Sequence, residues 1–365
     1  MSDISQGQSM RLVGYFPAEA HKQNYGVDDI PAGQLSHVIY AFAGLQADGT
    51  CVSVDTSDDN TNFPLLFQLK QQYPGLQILI SVGGASQTLF SSVATSEAKR
   101  LTFVRTAVQF MTQNGAGGFD GIDIDWEFPG KGDSADFTTM LRELRNQLDA
   151  QGDADGRHYL LTIAAPAGQS HYKNLHLSQI HPYLDWINLM TYNFTSVSSK
   201  TTDFVGPLNA YDPNIKTHAT HNVDFAVQAY LEAGVPADKI VVGVRFVATG
   251  WTGVPAANNG LYQKNSGAAS GTWDNPNEPP TGSFGFQDIE DNYLPTYTRS
   301  WEEAAEVPWL YSPDTGIMIS YEDQESVTAK ANYVMANQLG GIMIWELAAD
   351  DDQDTLVNTI AGVLT

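Results

Sequence analysis

The sequence is poor in cysteine, with one, Cys51, in 365 residues. A single thiol excludes an internal disulfide and any site built from several thiolates. It is also poor in positive charge, with 18 Lys and Arg against 42 Asp and Glu and a net charge of −24. So acidic a chain repels polyanions, and neither nucleic acid nor an anionic membrane is expected as its partner. No apolar run approaches the roughly 18 residues that a membrane span needs. The opening MSDISQGQSM lacks a basic-then-apolar pattern, so no signal peptide is visible and the export route stays open. Histidines such as His171, His176, His181, His218 and His221 are scattered without zinc-type spacing, and neither a metal nor a cofactor is expected. What the chain does have is a 42% hydrophobic content, enough for a sizeable core.

Short apolar runs alternate with helix-like segments. Leu12 to Phe16, His37 to Phe42, Gln77 to Val82 and Gly118 to Trp126 read as buried strands, as do Tyr159 to Ala164, Trp186 to Thr191, Ile240 to Val247 and Gly341 to Trp345. Between them, Glu97 to Asn114 and Ala135 to Ala150 carry apolar residues at helical spacing. Asn222 to Gly234 and Ser326 to Gly340 read as helices closed by a glycine. Eight strands alternating with helices favour an α/β fold of the (β/α)8 TIM-barrel type over an open doubly wound sheet. One interval is too long: about 95 residues separate Val247 from Ile342, where a single step needs roughly 30 to 40. Its aromatic content (Tyr293, Tyr297, Trp301, Trp309, Tyr311) predicts an inserted subdomain over 251–314, between strands seven and eight, rather than a long irregular loop. The barrel then comprises 1–250 and 315–365, and the insertion walls one side of the active-site face.

The most informative stretch runs from Phe119 to Pro129. Side chains alternate along a strand, so Ile122, Ile124 and Trp126 share one face while Asp123, Asp125 and Glu127 share the other. In a parallel barrel the apolar set faces the helices and the three carboxylates point inward. Burying unpaired charges in a row is costly, so at least one carboxyl keeps its proton, with its pKa raised by its neighbours. That is how a general acid is prepared at neutral pH. Pro129 ends the run, which puts Glu127 at the C-terminal mouth where barrel chemistry takes place. Two plainer readings compete: an edge strand with a solvated acidic face, and an ion-binding loop. The apolar partners Ile and Trp disfavour both, and an ion loop of the EF-hand kind needs a glycine in sixth position.

The run Asp120-Gly121-Ile122-Asp123-Ile124-Asp125-Trp126-Glu127 resembles the signature of family 18 glycoside hydrolases, the chitinases. Ser81-Val82-Gly83-Gly84 resembles the family's third-strand motif, Met190-Thr191-Tyr192-Asn193 its sixth, and Gly341 to Glu346 its eighth. The long insertion resembles the α+β subdomain of one branch. The resemblance implies retaining, substrate-assisted hydrolysis of β-1,4-linked N-acetylglucosamine, an exception to the two-carboxylate scheme. By the match, Glu127 is the general acid, Asp125 orients the acetamido group, Asp123 shares a proton with Asp125, and Tyr192 hydrogen-bonds the acetamido oxygen. Trp345 is the apolar floor. Tyr15, Phe42, Met190 and Asn193 are further substrate-binding positions.

The match departs in places. Asn193 stands where the family usually has aspartate, which implies a smaller upward shift at Glu127 and an acidic-leaning optimum. Ala85 stands where many members have a tryptophan that stacks on the leaving-side sugar. Gly243 to Thr249 aligns with Gly-Val-Pro-Phe-Tyr-Gly-Arg, so Val247 and Thr249 replace a sugar-binding tyrosine and arginine, and Trp251 is expected to supply an aromatic surface instead. Asp350-Asp351-Asp352 reads as a solvated loop, and Asp153 to Gly156 as a turn before strand five. The expected partner is chitin or its oligosaccharides, met outside the cell by a monomer. The acidic field would also attract cationic, partly deacetylated chitosan. Two other functions remain in view: a silent sugar-binding protein, disfavoured because Glu127 is present, and an endo-β-N-acetylglucosaminidase, disfavoured because Asp123 and Asp125 both are.

Overall fold

A computed structural model of the chain describes residues 10–85, 87–113 and 118–365. The opening segment, in which no signal peptide is visible, lies outside the described residues apart from Met10, as does Asn114 at the expected end of one helix. The apolar runs form eight parallel strands: Arg11–Pro17, His37–Leu45, Gln77–Gly83, Gly121–Asp125, Leu160–Pro166, Trp186–Met190, Ile240–Arg245 and Gly341–Trp345. Each pairs with the next, and strand eight returns to strand one, Leu12 against Ile342 and Val13 against Met343, so the sheet closes as a (β/α)8 TIM barrel. Both faces of such strands are buried, which is why they read as continuous apolar runs rather than alternating ones. Val13, Ile39, Leu79, Val241 and Met343 fill the barrel interior. At the alternate positions Leu12, Val38, Ile78, Ile122, Val242 and Ile342 face the helices.

The helices cover the outer face. Glu97–Gln113 buries Phe103, Val104, Ala107, Val108 and Met111 along one side. Ser134–Asp155 buries Met140, Leu141, Leu144 and Leu148, and runs a turn beyond the expected Ala150. Asp153 to Gly156 is therefore the end of this helix, closed by Gly156 in the left-handed region, rather than a separate turn. Val223–Glu232 starts on Asn222, whose side-chain oxygen accepts from Phe225 N at 2.8 Å.

Between strands seven and eight the chain forms a second, antiparallel sheet. Ala248–Thr252 pairs with Ile317–Ser320, which pairs with Val307–Ser312, which pairs with Thr298–Glu302. Its own apolar cluster includes Val254, Val307, Trp309, Tyr311 and Met318, with Phe204 contributed by the loop after strand six. Trp251 belongs to this cluster. It is 0% exposed and its indole N–H donates to Ser196 O at 3.2 Å. The expectation that Trp251 offers an aromatic surface to a sugar is thus corrected: hydrophobic burial inside the insertion has claimed both faces of the ring.

Asp350-Asp351-Asp352 is a second correction. Asp350 and Asp351 are buried rather than solvated. Asp350 Oδ1 accepts from Asp351 N and Leu356 N and its Oδ2 from Val357 N, while Asp351 Oδ1 accepts from Gln353 N and Thr355 N. These carboxylates tie the loop to the start of the last helix, Thr355–Leu364.

Burial, opposed by its three amide donors, pushes Asp350 up to about 7, and burial with Asp351 pushes Glu290 up to about 7. Between the unfolded carboxylate range near 4 and about 7, the folded chain then holds protons that the unfolded chain has released. Stability from these groups is present at low pH and is lost as pH rises through about 7. The melting temperature of the protein should therefore fall from about pH 4.5 to about 7.5, and Glu290→Gln should flatten that slope. Calorimetry across the range that shows an unchanged slope in the variant would count against this assignment.

Candidate active site

Polar side chains on the inward faces of strands one, three, five and six converge on Asp123. This residue is fully buried. Its Oδ2 accepts from the Tyr15 hydroxyl on strand one and the Ser81 hydroxyl on strand three, each at 2.8 Å. Its Oδ1 accepts from the Thr162 hydroxyl on strand five at 2.6 Å and from Asn188 Nδ2 on strand six at 3.3 Å. The Asn188 amide is itself oriented, because Trp186 Nε1 donates to its Oδ1 at 2.8 Å.

Asp125 sits one step further toward the mouth and has the opposite surroundings. It is 4% exposed, and its Oδ1 is buried without a hydrogen-bond partner among the described residues. Burial, then Glu127, then Asp123 push its carboxyl well above the usual carboxylate range. Burial lifts Asp123 as well, but four donors pull against it. Of the two aspartates, Asp125 is accordingly the one that holds a proton more tightly. Strand four ends at Asp125, so Glu127 lies just past the strand rather than on it. Burial raises Glu127 too, which favours the protonated acid.

Close backbone approach sets this geometry. Gly83 ends strand three at φ +134°, and a Cβ there would stand 1.9 Å from the Asp125 carbonyl oxygen. That same carbonyl accepts from Gly84 N at 3.0 Å. On the far side, a Cβ at Gly243 would meet the Tyr192 ring at 2.8 Å, so the glycine on strand seven leaves room for that ring.

Above the trio lies a groove of about 360 Å³ lined by Tyr15, Phe42, Asp125, Glu127, Met190, Tyr192, Asn193 and Trp345, with Gly84, Ala85 and Ala164. Eight of the ten residues expected at the site from sequence line it. Asp123 lies beneath, and Trp251 is elsewhere. Trp345 packs against Tyr15 at 5.5 Å between ring centroids and is stacked with Phe42 at 5.9 Å. The Tyr192 hydroxyl has the Met343 sulfur at 3.9 Å as its protein partner, a weak acceptor that leaves it available to a ligand. Burial, Asp125 and Glu127 keep the Tyr192 proton on the phenol. Asn193 is exposed at the rim with φ +57°.

A family model described as glycosyl hydrolases family 18 matches residues 11–350. The chain belongs to that family. Among family 18 relatives, Chitinase A1 of Niallia circulans is 36% identical over 98% of this chain and 58% of its own length. Chitinase 1 of Aphanocladium album is 33% identical over 92% of this chain and 81% of its own. The solved chitinase ChiA74 from Bacillus thuringiensis superposes with a TM-score of 0.91 at 34% identity, covering 98% of this chain and 70% of that one. The chain thus spans a little over half of the first of these relatives.

The sequence reading of this family 18 site missed residues that strand alternation could have supplied. Thr162 and Asn188 are polar residues at inward positions of strands five and six, and that parity is their signal. Arg245, at the inward end of strand seven, was read only as part of a divergent motif.

Gly83→Ala should push the Asp125 backbone aside. A shift of order 1 Å at a reacting group costs about 100-fold in rate, so hydrolysis should fall by at least that factor, with a lower melting temperature. A Gly83→Ala enzyme with near-normal kcat would show that strand three can yield without disturbing the carboxylates.

Proposed function

We propose that the chain is a chitinase, cleaving β-1,4-linked N-acetylglucosamine polymers and oligomers by a retaining, substrate-assisted mechanism with Glu127 as general acid. The observation that carries this reading is the pairing, in one groove, of Glu127 with a second, buried carboxyl, Asp125, which burial and its neighbours push well above the usual carboxylate range. A protonated carboxyl is a poor nucleophile, so the usual retaining scheme with an enzyme carboxylate attacking the sugar does not suit it. A nucleophile supplied by the substrate does. The names of the family relatives point to the same polymer.

In this reading the sugar to be cleaved rests on Trp345. Glu127 gives its proton to the glycosidic oxygen as the bond to C1 breaks, and the leaving sugar departs with a hydroxyl. The acetamido carbonyl oxygen of the same sugar closes on C1, giving an oxazolinium ion. Asp125, with one oxygen that no described residue partners, accepts from the acetamido N–H, and as positive charge develops the Asp125 proton passes toward Asp123, leaving an anion beside it. The Tyr192 hydroxyl donates to the acetamido oxygen and holds it near C1. Glu127, now a carboxylate, takes a proton from a water that opens the oxazolinium from the face the leaving group vacated. The β configuration is retained. Met190 and Phe42 complete the apolar lining, and the insoluble polymer places the work outside the cell.

An anomer-resolved digest of chitin hexamer, run beside Glu127→Gln, tests the reading. The wild type should release β-anomeric products and the variant should lose at least 1,000-fold in kcat, a general-acid contribution at the upper part of its usual range. Oligomer binding without hydrolysis by the wild type would instead make this a sugar-binding protein on the family 18 barrel. Cleavage of a high-mannose glycoprotein but not of chitin oligomers would make it a glycan endo-β-N-acetylglucosaminidase.

The rim position sets the pH dependence. Glu127 acts protonated, so kcat falls as pH rises through its pKa. Burial alone holds that pKa up, and Asn193 adds no charge. Asn193→Asp places a carboxylate at the groove rim and should move the basic limb of kcat upward by roughly half a unit, the scale of a charge acting through a partly solvated groove. A limb that stays in place would mean that position 193 does not sense the acid.

A further inference from the structure

Strand seven ends on a cation. Its inward positions are Val241, which joins the barrel interior, and Gly243, which faces the Tyr192 ring and Met343. Alternation then directs Arg245 to the same side, in register with Trp345 on strand eight. Arg245 Nη1 uses both its hydrogens within the protein, donating to Val247 O at 2.5 Å and to Thr249 Oγ1 at 2.9 Å. Nε and Nη2 carry three more N–H groups. None of these has an acceptor among the described residues, and neither nitrogen is sealed from solvent. The acid whose charge acts on Arg245 is Glu346, but Glu346 Oε1 is engaged at 2.9 Å by Gln23 Nε2.

Burial makes this guanidinium costly to hold in the fold, and its unpartnered donors are left to water or to a ligand. The protein supplies partners for two of five. Arg245 lines a small pocket of its own with Tyr192, Val247 and Glu322, and Tyr192 is the side chain that this pocket shares with the groove floored by Trp345. A sugar lying on an indole face presents its hydroxyl, ring and acetamido oxygens at its edge, and all are acceptors. The rest of the strand-seven wall has little to offer them: Val247 is apolar, and the Thr249 hydroxyl is buried against the guanidinium.

We infer that Arg245 is a substrate-contacting, specificity-determining residue, its Nε and Nη2 donating to oxygen atoms of the sugar over Trp345. The inference rests on the proposed reading for the identity of that sugar. It carries a selectivity that the carboxylates alone do not. A fixed cation beside this subsite favours a neutral N-acetylated sugar and opposes the ammonium of a deacetylated one.

The test is binding, read in a Glu127→Gln background so that turnover plays no part. Dissociation constants for chitin tetraose and for glucosamine tetraose are measured under mildly acidic conditions, with and without Arg245→Met. Chitin tetraose should bind roughly tenfold more weakly to the double variant, the loss expected for charge-assisted hydrogen bonds, while glucosamine tetraose should bind at least as tightly as before. Arg245→Lys keeps the charge without the fork and should show an intermediate loss for chitin tetraose with the discrimination kept; it decides the matter if Arg245→Met does not fold. Unchanged chitin tetraose binding in the folded variant overturns the contact and leaves the proposed function standing. Equal weakening of both ligands overturns it as well, because that is what loosened packing would do. Failure of the Glu127→Gln protein to bind either ligand overturns both readings.

Discussion

The Asp123 carboxylate, enclosed in the barrel and met by donors from four strands, is the constraint on which the mouth of this protein depends. Removing a carboxylate from water costs several kcal/mol even after the surroundings relax, and hydrogen bonds to a charged group return roughly 1.5–3 kcal/mol each. Tyr15, Ser81, Thr162 and Asn188 together are on the right scale to hold the charge. Their number matters for a second reason. With both Asp123 oxygens occupied, nothing is left to stabilise a second anion one step along the strand. Asp125 therefore keeps its proton, and one of its oxygens is left buried without a hydrogen-bond partner among the described residues. The chemistry proposed for this site begins from that asymmetry between two aspartates two residues apart.

The barrel makes such an arrangement possible because it fixes parity and height together. Strand four delivers Ile122 and Ile124 to the helices and Asp123 and Asp125 to the interior. The register of its neighbours brings Ser81 opposite Asp123 and Gly83 opposite Asp125. A donor is thus provided where a carboxylate must stay charged, and a bare backbone where the next one must be approached closely. A slip of one residue on strand four would reverse every one of these assignments, so the packing of Ile122 and Ile124 outside the barrel guards the electrostatics inside it.

This part was legible because it is local. Alternation along one strand, and the turn residues that end it, are written within ten positions, and they sufficed to place three carboxylates on one face and to anticipate the barrel. What escaped was set by contacts distant in sequence. Trp251 follows a strand and precedes a loop, which reads as a rim aromatic. Its burial depends on Phe204, some 47 residues before it, and Met318, some 67 after. Asp350 and Asp351 read as solvent-facing because three acids in a row are usually solvated, yet here they satisfy the exposed amides that open the final helix. Hydrogen-bond demand from a helix start overrode the tendency of charge to seek water. Arg245 was hidden differently: within a motif that resembles Gly-Val-Pro-Phe-Tyr-Gly-Arg, attention falls on what positions 247 and 249 have lost.

The positions are better considered together. Relative to that pattern, an arginine is absent at 249 and one is present at 245, four residues earlier along the same wall. Threonine at 249 is not among the residues that line the groove, and its hydroxyl lies 2.9 Å from Arg245 Nη1, so the guanidinium stands beside the position that lost one. The strand-seven wall has kept a cation while changing the backbone position that carries it. The exchange has electrostatic consequences. An arginine on the strand itself emerges below the rim, close to Tyr192, where its charge opposes the pull of Asp125, Glu127 and Asp123 on the phenol. Asparagine at 193 removes the negative charge with which a rim arginine could pair, and so suits a cation that has moved inward. In a chain of net charge −24, whose field favours any cation near its surface, one arginine beside the groove gives it a local preference opposite in sign to that of the protein around it.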